Sequence, residues 1–424
     1  MKQSKSNSMN GAEAMVKMLE AHKVEYIFGL CGDTSLPFYD ALYTLDHKIQ
    51  HILTRDERHA SYMAEAYARV TGKTGVCEGP SGGGATYIIP GVVEANESSV
   101  SLISITSDVA RTSVGKYPLT ELRQDELFKP LTKFNAILEN GKNLPSLIRK
   151  AFRASTTGRP GACHLCFPID VQKADIDPSD VWVQDGFSHF PAWPSKTTND
   201  NLLKFKNLLE VSKKPLIICG GAILFSHGEK IFQEIIEKYN IAVASTISGK
   251  GTLADDHPNY LGVVGSNGAV LETRSVVKES DLIIFIGCRA GSVTTEKWQY
   301  PDRKQKIIHI DNDPEVISAN YKTELSIVSD AKLFLDDFND LNLSKQFNGK
   351  EDIRIAKEKK WSDFNAIAKQ NNTPIKPERI VSDLNQVLPE DCYVVADAGT
   401  PCPYFSAYYK IKKQGKYFLT NRAH

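Results

Sequence analysis

The first 170 or so residues carry short apolar runs, "VEYIFGL", "HILTR", "TGVCEGP", "SLISIT" and "ACHLCFPI", each brief and rich in β-forming residues. Longer patterns of helical period, such as "AEAMVKMLEAHK" and "LPSLIRKAFRAST", separate them. A strand that is always followed by a helix can pair with the next strand only through a crossover, so this order predicts a parallel α/β layer sandwich. The stretch "DPSDVWVQDGFSHFPAWPSKTTND", roughly residues 177 to 200, breaks the alternation with proline, aspartate and serine and reads as a linker. A second α/β unit then runs through "KKPLIICGGAI", "NIAVASTISGKGTLADDHPNYLGVVG", "SDLIIFIGCRAG" and "KIIHIDNDPEVI". Its strands end in glycine or aspartate, at the carboxyl edge where open parallel sheets present ligands. The charged helical segment "LSKQFNGKEDIRIAKEKKWSDF" reads as a second connector, and "IVSDLNQVLPEDCYVVADAGTPCPYFSAYY" opens a third unit. One helix and two strands are too few to close a sheet, so this third domain is expected to be truncated. The expected fold class is therefore α/β, as successive open parallel-sheet domains over residues 1–180, 198–340 and 375–424.

A length of 424 residues exceeds one ordinary core. Lysine plus arginine equals aspartate plus glutamate at 51 each, a balance that argues against nucleic acid or anionic membrane as the main partner. The N-terminus "MKQSKSNSMNGAEAMVKML" lacks the apolar centre of a signal peptide, and the apolar runs fall far short of the roughly 20 residues of a membrane helix. A soluble cytoplasmic protein with reduced thiols is expected. Only Cys163 and Cys166 have ligand-like spacing among the eight cysteines. They lie on a predicted strand, where positions three apart face opposite ways, so no shared metal is expected.

Two features carry chemistry. Glu57, in "RDERHASYMAEAYARVTG", stands where a strand hands over to a helix. It can be read as helix-end electrostatics. It can equally be read as a carboxylate kept in an apolar cleft, since Ala60, Met63, Ala64 and Tyr67 put an apolar stripe on the same helix. The second feature is "GPSGGGAT", residues 79 to 86, between a strand and the helical "YIIPGVVEA". Such a loop lets backbone approach a ligand and leaves helix N–H groups free. It is neither a Walker loop nor a dinucleotide fingerprint, which opposes a nucleotide-binding dehydrogenase.

Taken in order, "YIFGLCGD", "RDERHASYMAEAYARVTGKTGVCEGPSGGGAT", "LFKPLTK" and "GRPGACHLCFPIDV" resemble the pyrimidine-binding domain of thiamine-diphosphate enzymes of the acetolactate synthase type. "GKGTLADDHPNYLGVVG" with "IIHIDNDPEVI" is similar to that family's middle domain, and the third unit to the start of its diphosphate-binding domain. The resemblance implies a carboligase or decarboxylase acting on a 2-oxo acid such as pyruvate, with thiamine diphosphate and Mg²⁺ as cofactors. It implies that Glu57 hydrogen-bonds a ring nitrogen of the aminopyrimidine and promotes removal of the thiazolium C2 proton. Gly29, Cys31 and Gly32 match a glycine-flanked turn near the cofactor, with Cys31 where proline is usual. Ser81 and Gly82 match the glycine turn beside the reacting centre, in which Pro80 and Gly83 replace the common threonine and proline. Thr120 falls where the family often carries a substrate-side glutamine. Residues 287 to 295, "GCRAGSVTT", depart from the stretch of members that bind FAD, which favours a middle domain that is structural only. Gly399 and Thr400, in "DAGT", match a turn that touches the diphosphate, whereas no Gly-Asp-Gly run is present for Mg²⁺. The metal ligands are accordingly expected outside this chain, which is then either truncated or half of a split enzyme, incomplete and inactive alone. A homodimer, a tetramer or a partner chain is expected. Two alternatives stand beside this reading: an acyl-CoA or sulfonate-linked lyase or acetyltransferase of the same family, and a non-catalytic subunit.

Overall fold

The computed structural model describes residues 9–415 and 417–420. The chain divides into two compact units, one ending at Trp193 and the other beginning at Pro194.

In the first unit six strands form one parallel sheet: β1 (Tyr26–Gly29), β2 (Gln50–Leu53), β3 (Gly75–Gly79), β4 (Leu102–Asp108), β5 (Phe134–Ile137) and β6 (Ala162–Pro168). Their spatial order is β2-β1-β3-β4-β6-β5. The connecting helices are α1 (Gly11–Ala21), α2 (Leu36–Thr44), α3 (Glu57–Thr71), α4 (Ile89–Glu97) and α5 (Leu144–Thr156). Local chemistry sets their ends. Asn10 and Glu13 exchange hydrogen bonds of 2.9 and 2.8 Å in a capping box at the start of α1. Asp56 accepts from Arg58 N–H at 2.8 Å at the start of α3, and Gly72, at φ 72°, closes that helix in the left-handed region. Met15, Ile27, Phe38, Val76, Ile103, Ile148, Phe152 and Leu165 form the core of one sheet face. Cys163 shares that core with Leu165, whereas Cys166 donates to Asp108 across the other face at 3.5 Å.

The segment read as a linker packs on the first unit up to Trp193. Phe190 and Ala192 are buried, and the Arg149 guanidinium stacks over Trp182 at 3.8 Å. Its proline and aspartate content signals irregular backbone, which burial of the aromatic side chains still orders.

The second unit repeats the architecture with β7 (Pro215–Cys219), β8 (Ala242–Ser245), β9 (Tyr260–Val263), β10 (Leu282–Ile286), β11 (Lys306–Asp311) and β12 (Leu325–Val328), ordered β9-β8-β7-β10-β11-β12 and all parallel. Ile217, Ile284 and Ile308 pack one face while Leu216, Ile283, Phe285 and Ile307 pack the other. A sheet covered on both faces needs such near-continuous apolar strands. The charged connector is the helix α6 (Gly349–Ala368), which buries Ile353 and Phe364. Beyond it, α7 (Pro377–Val387), α8 (Pro401–Tyr408) and the parallel pair β13 (Val394–Ala396) and β14 (Phe418–Thr420) share one cluster with Val263 and Phe364. Residues 375–420 thus pack within the second unit. Among the described residues no helix is long and apolar enough to cross a membrane.

Candidate active site

Glu57 is the first residue of α3 and is 7% exposed. Ala60, Ser61, Ala64 and Ala68 carry the inner face of that helix, and Gly75 of β3 lies against it so closely that a Cβ there would stand 2.2 Å from the Ala64 carbonyl oxygen. The apolar stripe is therefore narrower than the sequence suggests: Ala60 and Ala64 are buried, but Met63 is 42% exposed. Tyr67 also reaches outward and donates its hydroxyl to Glu25 at 2.7 Å. Met63 stands about 100° round the helix from Ala64, outside the arc of Ala60, Ser61, Ala64 and Ala68 that faces the sheet.

The glycine loop wraps the Glu57 carboxylate. A Cβ on Gly84 would stand 3.2 Å from Glu57 Oε1, and one on Gly79 would stand 3.4 Å from Glu57 Cγ. Gly82 adopts φ 65°, a conformation that costs glycine little. Gly32 abuts the same loop, its missing Cβ being 2.4 Å from Pro80 Cβ. Cys31 is exposed at this turn. The structure thus brings Gly29, Cys31, Gly32, Ser81, Gly82 and Glu57 to the carboxyl edge of β1 and β3.

A hydroxyl cluster that sequence reasoning missed supports the loop. Ser81 Oγ is 2.9 Å from Thr34 Oγ1 and 2.7 Å from Thr120 Oγ1, and Thr34 Oγ1 is 2.7 Å from Ser107 Oγ. Thr120 itself has φ 73° and packs against Gly82. Thr120 can therefore present only a short hydroxyl where the resemblance led one to look for an amide.

A second carboxylate was also missed. Glu78, on β3, is 1% exposed and accepts the Tyr39 hydroxyl on Oε2 at 2.6 Å. Tyr39 Oη is in turn 3.0 Å from His51 Nε2. Burial pushes the Glu78 carboxyl up to about 8, the Tyr39 and Ser35 hydroxyls work against that rise, and the charge of Glu57 adds to it. Gly29 makes the space: a Cβ there would lie 2.9 Å from Glu78 Oε2 and 3.1 Å from Tyr39 Oη. The available signal was one acidic residue in the otherwise apolar and glycine-flanked "TGVCEGP".

Gly399 and Thr400 belong to the second unit, between β13 and α8, and both are exposed. Gly399 has φ 97° with open space around it, and Thr400 precedes the first turn of α8. Among the described residues no group of three or more His, Cys, Asp or Glu side chains is placed to hold a metal ion. In the middle unit, Arg274 binds both carboxylate oxygens of Glu296 at 2.7 Å, just after residues 287 to 295.

Residues 9–127 match the N-terminal thiamine pyrophosphate-binding domain of thiamine pyrophosphate enzymes, and residues 203–338 match the central domain of the same enzymes. Among curated proteins, a probable acetolactate synthase large subunit of Methanococcus aeolicus is 35% identical over 424 aligned positions, covering 95% of this chain and 69% of that protein. One of Methanocaldococcus jannaschii is 36% identical with the same coverage, and the acetolactate synthase large subunit of Lactococcus lactis is 31% identical, again over 95% and 69%. A carboxylate at the start of α3, a glycine loop closed around it and two parallel sheets in this order are what such a relationship requires: the chain belongs to the thiamine pyrophosphate enzymes, among the acetolactate synthase large subunits.

Proposed function

We propose that the chain is the large subunit of a thiamine-diphosphate- and Mg²⁺-dependent carboligase that takes a 2-oxo acid, with pyruvate as the default donor. The observation that carries this reading is the Glu57 carboxylate, 7% exposed at a helix N-terminus, with Gly84 so close that a Cβ there would stand 3.2 Å from its Oε1 and Gly79 beside its Cγ. The cradle fits the flat pyrimidine end of the cofactor. Bound thiamine diphosphate supplies the electron sink for decarboxylation. Glu57 holds and returns a proton at a pyrimidine ring nitrogen. Gly29, Cys31, Gly32, Ser81 and Gly82 shape the surrounding wall; Gly399 and Thr400, in the second unit, are taken by themselves as candidate contacts to a diphosphate. In this reading residues 1–180 are the pyrimidine-binding domain, 198–340 the central domain and 375–424 the beginning of the diphosphate-binding domain, with the Mg²⁺ ligands supplied elsewhere. The relatives' names favour acetolactate chemistry over acyl-CoA or sulfonate-linked alternatives, and a non-catalytic subunit has no use for a cradled Glu57. The eight cysteines are thiols, which suits a reducing compartment such as the cytoplasm.

Glu57→Gln in the assembled enzyme tests the assignment. Exchange of the thiazolium C2 proton with deuterium, followed by NMR after acid quench, should slow by about two orders of magnitude or more, the scale of lost acid–base catalysis. A Glu57 that merely offsets the helix dipole would cost a few tenths to about 1 kcal/mol in stability and leave exchange at the wild-type rate, which would sink the assignment.

A further inference from the structure

Glu78 has no role in the function just proposed, yet its surroundings are built rather than incidental. It leaves β3 on the face opposite Gly79, so it approaches the site from the other side of the strand that Glu57 touches. One oxygen takes the Tyr39 hydroxyl at 2.6 Å, and the other, Oε1, is buried without a hydrogen-bond partner. No lysine or arginine among the described residues forms an ion pair with it. The groups that face it are Tyr39 from α2, the Ser35 hydroxyl just before α2, His51 from β2 through Tyr39, Cys31 from the turn after β1, the neighbouring Cys77 thiol of β3 and Glu57 from α3. A carboxylate so enclosed, with the Tyr39 and Ser35 hydroxyls beside it and no cation, favours the neutral acid.

We propose that Glu78 is a second proton-carrying group of the Glu57 site, holding a proton while Glu57 is ionised and exchanging it with solvent along Tyr39 and His51. This rests on the reading of Glu57 as the cofactor's proton partner. The hydrogen bonds define the route. A proton on His51 Nε2 passes to the Tyr39 oxygen as the Tyr39 hydroxyl proton passes to Glu78 Oε2. An imidazolium and a carboxylate become a neutral imidazole and a carboxylic acid, with the tyrosine unchanged. Release runs in reverse. Burial holds the half-buried His51 ring below the ordinary imidazole range, so it relays the proton without keeping it. Glu78 acts through its charge on Glu57 and is therefore a positioning residue.

The test uses the chain without cofactor, labelled with ¹³C-carboxyl glutamate, and infrared difference spectra from about pH 5 to about pH 9, the range in which this acid should titrate. Wild type should show the carbonyl stretch of a protonated carboxylic acid at neutral pH that is missing in Glu78→Gln and titrates near 8. Tyr39→Phe removes the donor that favours the ionised form and should move that midpoint up, while Glu57→Gln removes a nearby negative charge and should move it down. After a pH jump, Tyr39→Phe should slow the change in the band by about tenfold or more, a modest share of the 10²–10⁴ typical of positioned proton transfer. Identical spectra in wild type and Glu78→Gln, or a midpoint unmoved by Glu57→Gln, would overturn the proposal. These readouts need no turnover, so a normal Glu78 beside a Glu57-dependent enzyme sinks this inference alone, and a raised, coupled Glu78 in an enzyme of different chemistry sinks only the function.

Discussion

Lys360 offers a quantitative check on how the second unit is held together. It lies on α6, 3% exposed, with its ammonium 5.3 Å from the Trp361 ring and 5.7 Å from the Tyr408 ring. The nearby anion is already used: Asp255 binds Lys250 through both oxygens at 2.7 and 2.9 Å and also accepts the Ile411 N–H at 2.8 Å. Burial, with the charge of Lys250 adding to it, pushes the Lys360 amine down to about 7 from 10.5. At about 1.36 kcal/mol per decade of proton affinity, that gap amounts to about 5 kcal/mol between the charged and neutral forms. The folded state prefers the neutral amine, so between about pH 7 and about pH 10.5 the unfolded chain binds more protons and stability rises with pH. Below about pH 7 the full cost is present.

Lys360→Met keeps the length of the side chain and removes the charge. The gain should be about 2–4 kcal/mol near pH 6, less than the full gap because cation–π attraction of about 0.5–2 kcal/mol disappears with the ammonium. The gain should shrink steadily toward pH 10. Urea unfolding at about pH 6 and about pH 9, with unchanged slope, measures it as a shift in midpoint. A variant destabilised equally at both pH values would refute the reasoning, because the ammonium would then be a favourable contact rather than a tolerated one.

Arg69 on α3 binds Glu65 and, at 2.9 Å, Glu94 of α4, with all three groups buried. Arg69→Leu strands two buried carboxylates and should cost about 3–5 kcal/mol in thermal unfolding at neutral pH, with part of the loss recovered at acid pH where they protonate; no loss would mean that water already screens the triad. Beside the site, Leu53, Met63, Tyr87 and Leu119 are 64, 42, 57 and 88% exposed. Apolar side chains at that density favour association, so light scattering should find a dimer or larger species that Tyr87→Ser with Leu119→Ser weakens, and a monodisperse wild-type monomer at high concentration would count against it.

What could be read from the sequence was whatever depends on neighbours along the chain. Strand runs and the glycine loop are local, and each of these predicted elements is present. Glu57 was visible for the same reason, since the start of a helix after a strand is a local event. Burial depends instead on what crosses over from elsewhere. Met63 has the hydrophobicity of a core residue, but which arc of α3 meets the sheet is set by the close contact of Ala64 with Gly75, and Met63 lies outside it. Lys360 sits in "IRIAKEKKW", which reads as a solvated helix until α8 covers it. Glu78, Tyr39 and His51 are 39 and 12 residues apart along the chain and meet only because β2, β1 and β3 are adjacent in the sheet, with α2 against that face. A parallel sheet gathers its carboxyl ends from segments that crossovers keep apart in sequence. Local pattern therefore marks the strands and loops, while the meetings of ionisable residues become legible only in three dimensions. Glu78 is thereby an acid behind the strand whose other side Glu57 occupies. The two carboxyls, on opposite faces of one strand, are therefore the groups whose proton exchange should prove coupled.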